Sequence, residues 1–374
     1  MRIRTDQVPA LERGVALLGS GGGGDTRTGS VLLRGLLAAT DGVPVPAVAD
    51  LPADALVVPL GVVGATAVFT EKLPGGGEFE LGVEAIGRWT GQRAAPAALM
   101  SIEVGGLNGI SALVAGATLG LPVVDADLCG RGLPRLDQFS LVAAGRRVCP
   151  CALVEPGGRV VLVDGASPAE VERTARGYLA TTGGWAVLVL APVPAGQLAD
   201  CAVVGSVGAA VRLGAAVLAL PESAGAAAVA AAIGGRVLGQ GPVVEVCHAS
   251  ASGPGSASVV DRGGGAVVRL VMGTEYLLAL VDGALVGTTP DVLALLDART
   301  LTPIPCDRVR PGDEALVVQV PAPAFWTRPD RLPLVSPRGF GLPQPPVLLS
   351  DAGPPAPDTT APGTTAPDAP VREG

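Results

Sequence analysis

The chain reads as an α/β N-terminal domain, then a β-rich C-terminal domain, then a disordered tail. Three observations lead there. Strand-like and helix-like segments alternate through the first part of the chain, the texture changes after Gly235 to short period-two runs between Gly, Pro and Asp turns, and the end is rich in Pro and Thr. A length of 374 residues is enough chain for two cores. The expected division is 1–168 for the α/β domain, 169–348 for a mixed region that becomes β-rich, and 349–374 for the tail.

Taken in order, Gly14 to Leu18 is an apolar run that ends in Gly19-Ser-Gly-Gly-Gly-Gly-Asp25. Thr26 to Leu37 then has helical spacing, with Asp25 as its N-cap. Leu56-Val-Val-Pro-Leu60 and Leu99-Met-Ser-Ile102 read as strands that run into Gly-containing loops, and Glu78 to Trp89 and Leu107 to Leu119 read as helices. Leu121-Pro-Val-Val-Asp-Ala-Asp127 gives a further strand with two acids at its C-terminal end, the side of an open α/β sheet where ligands bind. A helix at Pro168 to Ala180, a strand at Ala186 to Leu190 and an Ala-rich helical segment from Val207 to Leu220 follow. Ala266 to Met272 and Glu314 to Val320 are examples of the period-two strands beyond Gly235. The near-repeat Thr359-Thr-Ala-Pro-Gly and Thr364-Thr-Ala-Pro-Asp has too little apolar surface to bury and is expected to be disordered.

Composition removes several function classes. A formal charge of −8 offers no basic surface for phosphate backbones, so no nucleic-acid partner is expected. Arg212, Glu222 or prolines interrupt the longest apolar stretches before they reach the roughly 18 to 20 residues of a membrane span. Met1-Arg-Ile-Arg-Thr-Asp lacks the pattern of a secretory signal, and the expected location is the cytoplasm. Cys129, Cys149, Cys151, Cys201, Cys247 and Cys306 show no C-x-x-C pairing and are expected to be mostly small buried hydrophobes. The single His248 ends the strand-like run from Val243, where an ordinary strand histidine is the expectation. Chemistry therefore rests on carboxylates, amides, glycine backbone and one lysine.

Four segments carry that chemistry. Gly21, Gly22, Gly23 and Gly24, followed by Asp25, expose backbone N–H groups ahead of a helix and suit a carboxylate, an oxyanion or a structural turn. Their spacing matches neither a Walker loop nor a G-x-G-x-x-G fingerprint, so no nucleotide cofactor is expected. Every basic side chain except Lys72 is arginine, and Lys72 stands beside Glu71 and close to Glu78 and Glu80. An amine among carboxylates supplies an acid and a base, or a salt-bridged loop. In Ser101-Ile-Glu-Val-Gly-Gly-Leu-Asn108, Glu103 leaves a strand beside glycines that permit close backbone approach, and Asn108 either binds ligand or caps the next helix. In Asp125-Ala-Asp127-Leu-Cys-Gly-Arg131 two acids share one side of a strand, a spacing that fits a divalent cation, a polarised water or an exposed acid pair.

These segments in series resemble the S-methyl thiohydantoin desulfurase domain family. The resemblance runs through Leu18 to Asp25, Glu71-Lys72, Ile102 to Asn108, Pro122 to Asp127 with Gly130-Arg131 and Pro134, Thr274-Glu-Tyr-Leu277, Pro290 to Leu293 and Pro337 to Gly341. Leu128-Cys129, Thr274 and Cys247 to Ser252 depart from the family's pattern, so Cys129 reads as a packing residue rather than a thiolate nucleophile. The resemblance implies a hydrolase that attacks a ring carbon of a thiohydantoin or hydantoin with water and releases sulfur. It implies a small-molecule substrate, a homo-oligomer or a hydantoinase- or oxoprolinase-like partner, and the alternative of a non-catalytic metabolite-binding subunit. Carried onto this chain, Lys72, Glu71, Glu78, Glu103, Asp125, Asp127 and Arg131 form the catalytic set. Gly21 to Asp25 and Asn108 hold substrate, and Glu103, Asp125 and Asp127 are the candidate ligands of a divalent metal ion whose presence and identity stay open.

Overall fold

The computed structural model describes residues 1–92, 95–250 and 253–349. The expected tail lies outside the described residues apart from Leu349. Helices and a mixed sheet form the first domain, and antiparallel strands form the second, as the sequence leads one to expect.

Among the described residues the first sheet has eight strands. Its order is Val203–Val204, Val123–Asp127, Ala98–Ser101, Leu56–Gly64, Trp185–Leu190, Cys151–Val154 and Val160–Val163, with Val193–Pro194 also on Leu56–Gly64. Leu56–Gly64 runs parallel to Ala98–Ser101, which runs parallel to Val123–Asp127, while Trp185–Leu190 is antiparallel to both of its neighbours. Both faces are covered. On Ala98–Ser101, Ala98 and Met100 enter one apolar cluster and Leu99 the other, the consequence of a two-residue period on a sheet buried on both sides. Trp185–Leu190 is buried at every position, which marks a central strand, and it fills the place between Leu56–Gly64 and Cys151–Val154. The first sheet thus draws its centre from beyond residue 168.

The apolar run Gly14 to Leu18 is the end of a helix, Val8–Leu18, and so a helix, not a strand, leads into the glycine loop. Val8, Leu11, Gly14, Val15 and Leu17 are its buried positions, and Val8, Leu11 and Val15 repeat at intervals of three and four. That helical period extends back past the short run and decides the conformation. The helix lies against Ser206–Leu218 at very short range. A Cβ on Gly14 would stand 1.8 Å from the Ala210 carbonyl oxygen, and one on Gly214 would stand 1.8 Å from that of Ala10.

The second sheet is antiparallel throughout, in the order Ala284–Thr288, Tyr276–Val281, Val267–Met272, Gly255–Val260, Arg236–Cys247, Glu314–Val320, Val292–Asp297 and Pro303–Ile304. Leu293 and Leu295 face one apolar cluster while Val292, Ala294 and Leu296 face another. Five of the six cysteines are buried and free, and Cys247 is exposed and free. No helix among the described residues is long and apolar enough to cross a membrane.

The helix crossing gives a direct test. Gly14→Ala and Gly214→Ala each improve intrinsic helix propensity, yet each pushes a methyl group into a backbone carbonyl. Each is expected to lower the unfolding free energy by about 1–3 kcal/mol, the usual cost of overpacking, as measured by urea denaturation.

Candidate active site

Three glycine segments meet backbone to backbone at the C-terminal ends of the parallel strands. Cβ atoms on Gly23, Gly105, Gly106 and Gly132 would approach Gly106, Gly132, Gly23 and Gly19 respectively to between 2.1 and 2.6 Å. The Leu107 N–H donates to the Gly23 carbonyl at 2.7 Å, the Gly132 N–H to Leu18 at 2.8 Å and the Gly106 N–H to Val15 at 2.6 Å. The second domain holds the same loop from its other side. Tyr276 N–H donates to the Ser20 carbonyl at 2.8 Å, Cys306 N–H donates to the Gly21 carbonyl at 3.0 Å, and the Ser20 hydroxyl donates to the Leu293 carbonyl at 2.8 Å. The Gly22 N–H is used within the loop on Gly19, whereas the N–H groups of Gly23 and Gly24 have no hydrogen-bond partner among the described residues.

A cavity of about 550 Å³ opens beside this junction, within the size range of small-ligand sites. Gly22, Gly23, Glu103, Asn108, Thr274 and Glu275 line it. A larger groove of about 1300 Å³ lies on the far side of the loop and shares Gly22, Gly23, Pro134, Thr274 and Glu275 with it.

Glu103 is the chemical centre of the smaller cavity. Its Oε1 accepts from the Leu133 N–H at 2.6 Å and its Oε2 from Asn108 Nδ2 at 3.1 Å. The Asn108 amide cannot turn round, because its Oδ1 accepts from the Val62 N–H at 2.6 Å while Nδ2 also donates to the Val62 carbonyl at 3.0 Å. Glu103 keeps some exposure because it borders the cavity. The protein around it nonetheless desolvates the carboxyl and raises its pKa to about 8, against the two hydrogen bonds, with nearby Glu275 and Asp127 adding to the rise. A carboxyl poised there exchanges its proton near neutral pH.

Asp127 sits behind this surface. Fully buried, it gathers the N–H groups of Val104 at 2.7 Å, Cys129 at 3.0 Å and Gly130 at 2.7 Å on Oδ2, so it shapes the loop that carries Glu103 and the loop that carries Arg131. Burial raises its pKa to about 6 despite these bonds. Its Oδ1 has no hydrogen-bond partner among the described residues. Asp125 points elsewhere and receives the Gly208 N–H at 2.9 Å, in the first turn of Ser206–Leu218. Among the described residues no three His, Cys, Asp or Glu side chains converge as a metal-ligand set.

Residues 6–165 match the S-Me-THD-like N-terminal domain and residues 166–347 match the S-Me-THD-like C-terminal domain. The chain belongs to the S-Me-THD-like family. A protein from Chromobacterium violaceum with a solved crystal structure has the same fold, with a TM-score of 0.73 and 22% identity over 91% of this chain and 96% of that one. A comparison with curated proteins returns no match.

In this S-Me-THD-like chain the cavity brings together Glu103, Asn108, Gly22 and Gly23 of the residues singled out in the sequence. Gly21, Gly24 and Asp25 line the larger groove. Asp25 caps the Thr26–Leu37 helix through Arg27 N–H at 2.9 Å and lies 3.4 Å from the Arg308 guanidinium. Lys72 is exposed and is not among the residues lining the cavity, although its carbonyl accepts from Trp185 Nε1 at 2.8 Å and its Nζ lies against Gly183. Glu71 is exposed, and Glu78 is buried on the N–H groups of Gly75 and Gly76 at 2.6 and 2.8 Å. Arg131 is fully buried. Its Nη1 donates to the carbonyls of Pro290 and Asp291 at 2.8 and 2.7 Å and to the Thr289 hydroxyl at 3.1 Å, which ties the two domains together. Burial lowers its pKa, and Glu275 is the first of the charges that oppose this. Cys129 is completely buried, and its thiol is pushed well above its ordinary range by desolvation.

Glu275 is the site residue that spacing did not reveal. Its segment, Thr274-Glu-Tyr-Leu277, stood in the family resemblance, but no local pattern told which acid would face the cavity. Arg135 and Arg176, also at the cavity, are held by Asp137 and Glu172.

Two outcomes follow. Glu103 binds its proton more tightly folded than unfolded, so its contribution to stability declines as pH rises from the usual 4.5 through about 8. Relative to the parent, Glu103→Gln should therefore gain melting temperature between pH 5 and pH 8.5. Arg131→Met leaves four buried acceptors, on Gly132, Thr289, Pro290 and Asp291, without their donor and should cost about 3 kcal/mol or more of unfolding free energy, as read by chemical denaturation.

Proposed function

We propose that this protein is a hydrolase of an S-alkylated thiohydantoin or closely related five-membered ring, in which water replaces the sulfur substituent at the carbon between the two ring nitrogens. Membership of the S-Me-THD-like family supports the ring class. The observation that carries the reaction type is Glu103, a carboxyl with a pKa of about 8 on the wall of a small cavity, oriented by Leu133 N–H and Asn108.

In the proposed reaction the ionised Glu103 takes a proton from a water molecule as its oxygen bonds to the ring carbon. The electron pair of the C=N bond moves onto the ring nitrogen, which receives that proton back from Glu103. The Gly23 N–H lines the cavity, has no hydrogen-bond partner among the described residues and favours an anionic group of the substrate beside the glycine loop. Collapse of the tetrahedral adduct breaks the carbon–sulfur bond and leaves a carbonyl on the ring. Lys72 has no step in this scheme. A hydantoinase- or oxoprolinase-like enzyme acting on the ring product is the partner this reading favours.

The experiment is a thiol-release assay with S-methyl thiohydantoins and the corresponding hydantoins as controls. Turnover should rise with pH through a midpoint near 8 as Glu103 ionises, and Glu103→Gln should reduce kcat/KM by about 10²- to 10⁴-fold, the usual contribution of a general base. Calorimetric binding of these rings without thiol release would overturn the hydrolase reading and favour a metabolite-binding subunit.

A further inference from the structure

We propose that Glu275, carried by the second domain, is a second catalytic carboxyl that protonates the departing sulfur, so that the site is complete only where the two domains meet. This rests on the hydrolase reading above.

The placement of Glu275 is the argument. It lies in the tight connection between the antiparallel strands Val267–Met272 and Tyr276–Val281, closed by the Gly273 N–H on the Glu275 carbonyl at 2.9 Å. The next residue, Tyr276, is hydrogen-bonded to the Ser20 carbonyl of the glycine loop, which fixes the tip of this hairpin against the first domain. The carboxyl then reaches the loop itself: a Cβ on Gly22 would be 2.6 Å from Glu275 Oε1. The same Cβ would be 2.6 Å from the Thr274 carbonyl oxygen, so the glycine makes room for the hairpin backbone and for this acid together. Thr274 Oγ1 donates to Oε2 at 2.7 Å, which leaves Oε1 as the oxygen turned to Gly22.

Glu275 and Glu103 line the same cavity from opposite domains. Two carboxyls on one small cavity do not both ionise readily, and one keeps its proton while the other gives it up. Burial raises the pKa of Glu275; Glu103 accepts from two N–H donors, which favour its ionised form, while Glu275 accepts only the Thr274 hydroxyl, and this geometry gives Glu275 the part of the acid. The proton count closes. Glu103 passes one proton of the water to the ring nitrogen. Glu275 gives its proton to the sulfur as the carbon–sulfur bond breaks, and the second water proton, released when the adduct's hydroxyl becomes the carbonyl, restores Glu275. Water and the S-methyl ring become the ring carbonyl and methanethiol, with no other reactant.

Leaving-group dependence tests this. The full-length protein and Glu275→Gln would be assayed on an S-methyl thiohydantoin and on its S-(4-nitrophenyl) analogue, whose thiolate leaves without help. The expected result is a loss of about 100-fold or more in kcat/KM on the S-methyl ring and less than about 10-fold on the nitrophenyl ring. Thr274→Val, which removes only the hydroxyl on Oε2, should shift the same ratio in the same direction by a smaller factor, and it serves if Glu275→Gln does not fold. Equal losses on both rings in folded variants would overturn the proposal and leave Glu275 as a counter-ion to Arg131. Absence of turnover by the parent protein on either ring would overturn the hydrolase reading itself, a distinct result.

Discussion

Contact between bare backbones holds the centre of this molecule. Gly19, Gly23, Gly105, Gly106 and Gly132 meet at distances no side chain permits, and the Leu107 N–H on the Gly23 carbonyl and the Gly132 N–H on the Leu18 carbonyl pair these backbones. Glycine loses the most conformational freedom on folding, so the arrangement costs stability at each position. It is offset by the apolar clusters that cover both faces of the first sheet and by the clamp of the second domain on the loop. The strand ends are thereby drawn together closely enough for Glu103, Asn108 and the Gly22-Gly23 backbone to share one cavity.

Buried charge is managed around the same junction. Glu103, Asp127 and Glu275 all have pKa values raised by burial, with Arg131 the guanidinium placed among them. Most of the polar groups there have a backbone role as well. Asp127 binds three N–H groups from two loops, Arg131 binds carbonyls of the other domain, and Asn108 locks onto Leu56–Gly64. Such groups set loop shape first, and the remaining carboxyl oxygens at the cavity are what is left for chemistry.

The elements of the first domain were legible because their periods are strong. Glu78–Thr90, Asn108–Leu119 and Val123–Asp127 fall close to where apolar spacing put them. The Val8–Leu18 helix was less legible, since the apolar stretch ahead of the glycines is short and its helical partners lie further upstream. Of the four chemical segments, the Glu103-Asn108 segment and the glycine loop converge on the cavity. The Lys72 segment does not, although the rarity of lysine in this chain drew the eye to it. Residue type carries no information about which way a strand end or loop will face.

What the sequence determined by itself is local: strand and helix periods, the positions of the glycines, a formal net charge of −8, and the ordered motifs that place the chain in its family. Only the tertiary structure decided which acids share an environment. Asp125 and Asp127 are two residues apart, yet one binds the start of a helix and the other two loops of the site, while Glu103 and Glu275 are distant in sequence and line one cavity. The reason is physical. Proton affinity depends on burial and on neighbours brought together by long-range packing, and a hairpin of the second domain pressed onto a glycine of the first supplies both.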